Sequence, residues 1–190
     1  MADQSSVMYA GATRRFFAFL LDGLILGLVT VIIVKLLIKD VMMQQMIARL
    51  MSALYFILIE SSGRMASLGK SALKIYVAMD EGKKASVGTI ALRYLILMLP
   101  GVPMLFAVYS SDYLNVLRTI QQYSDAKDVQ GMLAYLQGPE AGAILEHLRN
   151  MAAISGALGI GLVWLPIVFT KQKTGIHDHL TKTRVFKRAA

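Results

Sequence analysis

The sequence predicts an all-α membrane protein. It has four transmembrane helices, a small extracytoplasmic helical insertion between helices three and four, and a short cytoplasmic hairpin between helices two and three. Three observations lead there. Hydrophobic residues make up 56% of the 190 and charged residues 17%, against about 45–50% and 25% in ordinary soluble chains. The apolar residues collect in long stretches, and the basic residues sort to one side of them. A mean hydropathy of +0.55 excludes intrinsic disorder, because a disordered chain is poor in apolar residues. The absence of cysteine excludes a disulfide scaffold, a thiol nucleophile, an iron–sulfur cluster and a cysteine zinc site.

A span needs about 20 mostly apolar residues. Four stretches qualify: about residues 16–38, 42–59, 91–109 and 151–170. Asp22 and Lys35 interrupt the first, and Gln44, Gln45 and Arg49 dilute the second. The third carries Pro100, Gly101 and Pro103, and the fourth carries Trp164 and Pro166. A soluble helix keeps a polar face along its length, and the first and fourth stretches have almost none. The first is too long for a signal peptide, and no small-residue cleavage site follows it. Residues 1–190 thus read as one membrane domain.

Charge sets the orientation. Fourteen of the 20 basic residues fall on the side holding both ends of the chain, and Lys35, Lys39, Arg49, Arg118, Lys127 and Arg149 fall on the other. The positive-inside rule makes both termini cytoplasmic in a multi-pass protein. The formal charge of +8 is then mostly topology. Nucleic-acid binding is not expected, because the basic residues lie in separate segments without a reader module. Arg184, Lys187 and Arg188 are expected to meet anionic lipid headgroups.

A short link, about residues 39–45, should join spans one and two as an antiparallel hairpin. Glu60-Ser-Ser-Gly63 reads as a helix stop with turn residues. Lys74 to Met79 alternates polar and apolar, and Asp80-Glu-Gly-Lys83 reads as a tight turn. That pattern predicts an extended lip at the membrane surface, packed against Thr183–Phe186. Ser86 or Thr89 should cap the third helix. Within residues 110–150, Leu114, Leu117 and Ile120 recur at helical period. Ser124 or Asp125 should cap a second helix with Val129, Met132, Leu133 and Leu136 on one face. Pro139 suits the first turn of a third. The insertion reads as a structural lid, a substrate vestibule or a partner-docking surface. On span four, Ser155-x-x-x-Gly159 and Ala157-x-x-x-Gly161 form a face that allows close helix packing.

Ionisable residues at membrane depth need a partner, water or a proton. Asp22 lies about two turns into span one. Arg15 is seven residues earlier on the same face, about 10 Å away along the axis. Glu60 ends span two at a similar level. Two nearby carboxylates share a proton or hold a cation; alternatively, Arg15 and Lys70 neutralise them. His177-Asp178-His179 suggests a metal, but histidines at i and i+2 do not converge on one helix face and no third ligand is near. A structural role is expected there, with Asp178 pairing a basic residue or capping a turn. No metal or cofactor is expected.

Arg15-Phe-Phe-Ala18-Phe-Leu-Leu-Asp22 resembles the N-terminal signature of the RDD family of small bacterial integral membrane proteins, named for one arginine and two aspartates. Leu54-Tyr55-Phe56 through Glu60-Ser-Ser62, then Leu68-Gly69-Lys70, is similar to its second segment. So is Ile75 to Gly82 followed by Arg93, and His177-Asp178 through Thr183 and Val185 is similar to its C-terminal signature. Ser67 stands where threonine is usual, and residues 110–150 lie outside the resemblance. The resemblance implies Arg15, Asp22 and Asp178 as the name-giving residues, with Glu60, Gly69, Lys70 and His177 in matching motifs. It also implies the bacterial cytoplasmic (inner) membrane, and transport of an unidentified ligand, including cation/proton exchange.

Two functions follow. One is a small transporter or transport-associated protein, a homo-oligomer because four helices are few for a carrier, with Asp22 and Glu60 at the ion or proton and Pro100-Gly-x-Pro103 as a broken helix. The other is a non-catalytic scaffold or accessory subunit docking a partner membrane protein. An enzyme is not expected: no HExxH, Gly-rich phosphate loop or Ser-His-Asp order is present.

Overall fold

The computed structural model describes residues 8–34 and 37–188. Lys35 and Leu36, which the first expected span includes, lie outside the described residues. Four helical stretches have the length and hydropathy of a membrane span: Ala12–Ile32, Met42–Glu60, Val87–Val108 and Pro139–Phe169. Few of their residues are fully buried within the chain, and in the second stretch the buried residue is Glu60 at its end. Leu24, Leu54, Leu95 and Phe106 all point outward. Such a surface suits lipid, where apolar side chains outside a bundle carry no penalty.

The first stretch is α1 (Ala12–Val29), which runs on into a π-helical turn at Thr30–Val34. Helix α2 (Val41–Glu60) begins where the Asp40 side chain accepts from the Met43 N–H at 2.8 Å. This cap starts the helix despite the polar residues of its first half. The expected hairpin of spans one and two is splayed. Close approach of the two is concentrated near their link, at Thr30–Val34. A short helix α3 (Leu68–Ala72), capped by Ser67, packs against α1 and leads into β1 (Ile75–Met79).

Helix α4 (Val87–Met98) is capped by Ser86, which accepts from the Thr89 N–H at 3.1 Å. A 3₁₀ turn at Leu99–Gly101 separates α4 from α5 (Val102–Val108). Pro100 and Pro103 cause this break, since each removes an amide donor. Across it, the Met104 N–H donates to Ser155 Oγ at 3.3 Å on the fourth stretch. The small-residue face of that stretch also receives Pro100, whose Cβ faces Gly159.

The insertion folds as α6 (Ser111–Asp125) and α7 (Val129–Gln137). The cap of α7 is Asp128, which accepts from the Gly131 N–H at 2.8 Å, not Ser124 or Asp125. Helix α6 simply runs farther than its apolar period. Helix α8 (Pro139–Gly159) opens on Pro139 and carries the chain without interruption into the fourth stretch. It passes a second π turn at Ile160–Trp164 and ends as α9 (Leu165–Phe169).

The tail forms α10 (Ile176–Leu180) and β2 (Thr183–Lys187). The lip and tail pair as expected: β1 and β2 are antiparallel, with Val77 opposite Val185. The turn after β1 also forms, closed by Met79 N–H to Lys83 O at 2.8 Å. The second strand of the sheet comes from the tail, however, 100 residues downstream of a local hairpin partner's place. Tyr9 adds a bridge to Phe186, so the first and last described segments meet. The buried core cluster lies at this end: Ala10, Ala18, Ile75, Val77, Ala85, Ile90 and Val185.

Candidate functional site

Three charged clusters sit at the sheet end of the bundle. The first is centred on Asp178, fully buried in the first turn of α10. Its carboxylate caps that helix by accepting from the Gly175 N–H at 3.0 Å. It also receives Arg15 Nη1 at 2.6 Å from α1 and Arg93 Nη1 from α4. Arg15 spends its other donors on the carbonyls of Ala10 (3.0 Å) and Lys173 (2.5 Å). Arg93 Nη1 also reaches Thr183 Oγ1 at 2.8 Å. Burial alone would raise the Asp178 carboxyl, but Arg93, the His177 contact and Arg15 together hold it well below the usual range. His177, 3.3 Å from Asp178, is pushed down to about 4 by burial and then by Arg93, so it is neutral.

The second cluster is centred on Asp22, also fully buried. It accepts from Tyr55 Oη (2.6 Å), Ser67 Oγ (2.6 Å) and the Gly69 N–H (2.8 Å). The Arg15–Asp22 pair suggested by their spacing does not form. Arg15 turns to Asp178 instead, because the tail delivers a buried carboxylate closer than the 10 Å that separates two helical turns. Three neutral donors satisfy Asp22, and they bind α1, α2 and the Ser67–Leu68 turn together. Gly69 is required for this: a Cβ there would lie 2.9 Å from the Asp22 carboxyl carbon and still closer to the Ala18 carbonyl.

The third is the ion pair of Glu60, at the end of α2, with Lys70 of α3. Lys70 also lies over the Phe56 ring, 5.9 Å from its centroid. Asp22 and Glu60 therefore have separate partners. His179 is exposed, whereas His177 and Asp178 are buried. Arg184, expected at lipid headgroups, is buried instead. It lies 3.1 Å from Asp80 and donates to Gln172 at 3.2 Å, because strand β2 turns it under the sheet. Among the described residues no group of His, Asp and Glu is arranged to hold a metal ion.

Beside the Glu60–Lys70 pair a cavity of about 680 Å³ extends between the four spans. Its walls are mainly apolar. Gly23 and Gly27 of α1 face it, and a Cβ on either would meet nothing within 4 Å. All three departures from regular α-helical winding among the described residues reach it: Thr30 and Val31 from the first π turn, Pro100 from the 3₁₀ turn, and Val163 and Trp164 from the second π turn. Glu60, Lys70 and Arg93 stand at its sheet end. A second cavity lies toward the insertion, and it shares Thr30, Ser52, Tyr94 and Met98 with the first.

Tyr55, Ser67 and Arg93 enter the sequence reading only within the motifs of the resemblance, without a role of their own. Tyr55 and Ser67 become important only when α2 and α3 fold onto Asp22. Arg93 gave a detectable signal as a lone cation inside an apolar span, two turns from a serine cap.

A helical bundle whose apolar surface faces outward, with its charges buried and paired at one end, defines an integral membrane protein. The match to the family model described as RDD family covers residues 9–182, and the chain belongs to that family. No curated protein and no solved structure matches it. Arg15, Asp22 and Asp178, which the resemblance of the motifs implies as name-giving residues, occupy the first two clusters.

Proposed function

We propose that the chain is a small, non-enzymatic transporter, or the membrane subunit of one, in the bacterial cytoplasmic membrane. Both termini are cytoplasmic, basic side chains near the ends meet anionic headgroups, and the working unit is a homo-oligomer. The observation that carries this reading is the convergence of two π turns and a 3₁₀ break on one cavity. Irregular helix turns are concentrated at functional sites in membrane spans. Their backbone groups are tolerated there only where protein or a cavity covers them. The second cavity, meeting the first at Thr30, Ser52, Tyr94 and Met98, supports a path that runs toward the insertion. Glu60 is the cavity's carboxylate and Lys70 the cation it would release on protonation, so cation/proton exchange is the first flux to measure.

The experiment is reconstitution in liposomes with an imposed pH gradient and a cation-sensitive dye. Transport predicts cation movement that Glu60→Gln and the space-filling Gly27→Leu both abolish. Folded protein without flux in any cation would favour the accessory-subunit reading, with the insertion or the sheet docking a partner.

A further inference from the structure

We propose that the cavity binds a single-chain amphiphile with an acidic headgroup, the head at Arg93 and the chain along Gly23, Gly27 and Trp164. This deepens the reading of the cavity as the ligand site and rests on it. Three observations point to an anion with a tail. First, the cavity's volume of about 680 Å³ is in the small-molecule range of about 300–1,000 Å³, and its lining is apolar away from one end. Second, the lining itself carries one net positive charge, since its charged side chains are Glu60, Lys70 and Arg93. Lys70 neutralises Glu60 within the lining. Asp178 supplies one negative charge to the two guanidiniums of Arg15 and Arg93. Third, Arg93 lines the cavity, is 3% exposed, and its Nε–H has no acceptor among the described residues. A buried donor without an acceptor costs free energy that a carboxylate or phosphate oxygen would recover, and a charge-assisted bond recovers more than a neutral one.

The two glycines fit the chain. A Gly-x-x-x-Gly face usually brings a second helix into contact. Here the space beside both glycines is open, and it runs toward the rings of Phe19 and Trp164. An alkyl chain fills that space without a polar partner. Neutral and cationic amphiphiles would fill it as well but would leave Arg93 Nε–H unpaired or repelled.

Trp164 is the chain's one tryptophan and lines the cavity, so it reports occupancy directly. In nanodiscs of unbrominated zwitterionic lipid, a brominated fatty acid should quench Trp164 saturably. A brominated lysophosphatidic acid tests the lipid-derived phosphate, and the methyl ester and a brominated alkyltrimethylammonium are the controls. Saturable quenching by the carboxylate assigns a free fatty acid, and by the phosphate a lipid; either upholds an acidic amphiphile. Gly27→Leu, with Gly23→Leu as its duplicate, keeps every ion pair in place and should remove the saturable component. Arg93→Lys keeps a cation for Asp178 but lacks the Nε–H, and should weaken acid binding about tenfold, or 1.4 kcal/mol. Equal quenching by ester and acid, preference for the cation, or saturable quenching that survives both glycine variants would overturn the proposal. Acid binding without cation flux leaves the inference standing and removes exchange as the transport activity. Flux without acid binding does the reverse.

Discussion

Arg15 and Asp178 lie 163 residues apart in the chain and meet at 2.6 Å, both buried. Asp178 also holds Arg93, so one carboxylate ties α1, α4 and the tail together. Asp178→Asn leaves two buried guanidiniums without their charge partner. Removing one side of a buried pair typically costs about 3–5 kcal/mol. Yield and melting temperature in detergent should fall together; an unshifted Asp178→Asn protein would show that the knot is not structural.

Among the described residues, Asp22 has hydrogen-bond donors around it and no cation partner. Asp22→Asn should cost about 1–3 kcal/mol, because an amide NH₂ faces groups that also donate. In a double-mutant cycle with Tyr55→Phe, the two losses should overlap by about 0.5–3 kcal/mol, as for partners in one hydrogen bond. Exchanging charges between positions 15 and 22 should not restore stability, since Arg15 is bound elsewhere. Recovery in that swap would contradict the Arg15–Asp178 assignment.

Gly69→Ala places a methyl group against the Ala18 carbonyl and the Asp22 carboxyl. Overpacking of this kind costs about 1–3 kcal/mol. Thermal unfolding should register it, whereas Gly63→Ala, with open space around it, should be close to silent.

Acid should weaken the sheet end in two stages. His177 titrates at about 4 instead of the usual 6.5. The unfolded chain therefore binds a proton first, and stability present above pH 6.5 is lost as pH falls toward 4, by roughly 3 kcal/mol at most. Asp178 is held lower still, so its contribution is lost only at more acid pH. Melting temperature against pH should show the upper stage flattened in His177→Gln. A profile identical to that of the unchanged protein would mean His177 is not buried neutral.

The orientation is tested with single cysteines, for which the chain offers a clean background because it has none. Lys127→Cys, in the exposed turn between α6 and α7, should react with an impermeant reagent added outside intact cells. Lys83→Cys, in the turn after β1, should react only after permeabilisation. The opposite pattern would invert the topology.

The spans were legible because lipid demands long apolar stretches, and hydropathy records them directly. The alternation of Lys74–Met79 and Thr183–Phe186 was enough to pair two strands far apart in sequence. The assignment of arginine to carboxylate was not legible. Spacing on one helix relates Arg15 to Asp22, but the pairing depends on where the tail returns, which no local pattern encodes. Asp178 was readable as a cap or an ion-pair partner; that it is both at once, with two arginines, depends on α1 and α4 bringing Arg15 and Arg93 to the tail. The cavity was hidden for a similar reason. Gly23 and Gly27 look the same in sequence whether they touch another helix or open space, and the splay of α1 from α2 decides between the two.

The long reach from Arg15 to Asp178 sets an order of events during synthesis. Arg15 and Arg93 leave the ribosome well before the residue that joins them, with the later apolar stretches still to be threaded. Strand β1 likewise waits for β2. Until the tail arrives, the nascent bundle holds two guanidiniums and an open strand edge at its sheet end, so the same carboxylate that secures the finished protein also marks the moment at which assembly closes.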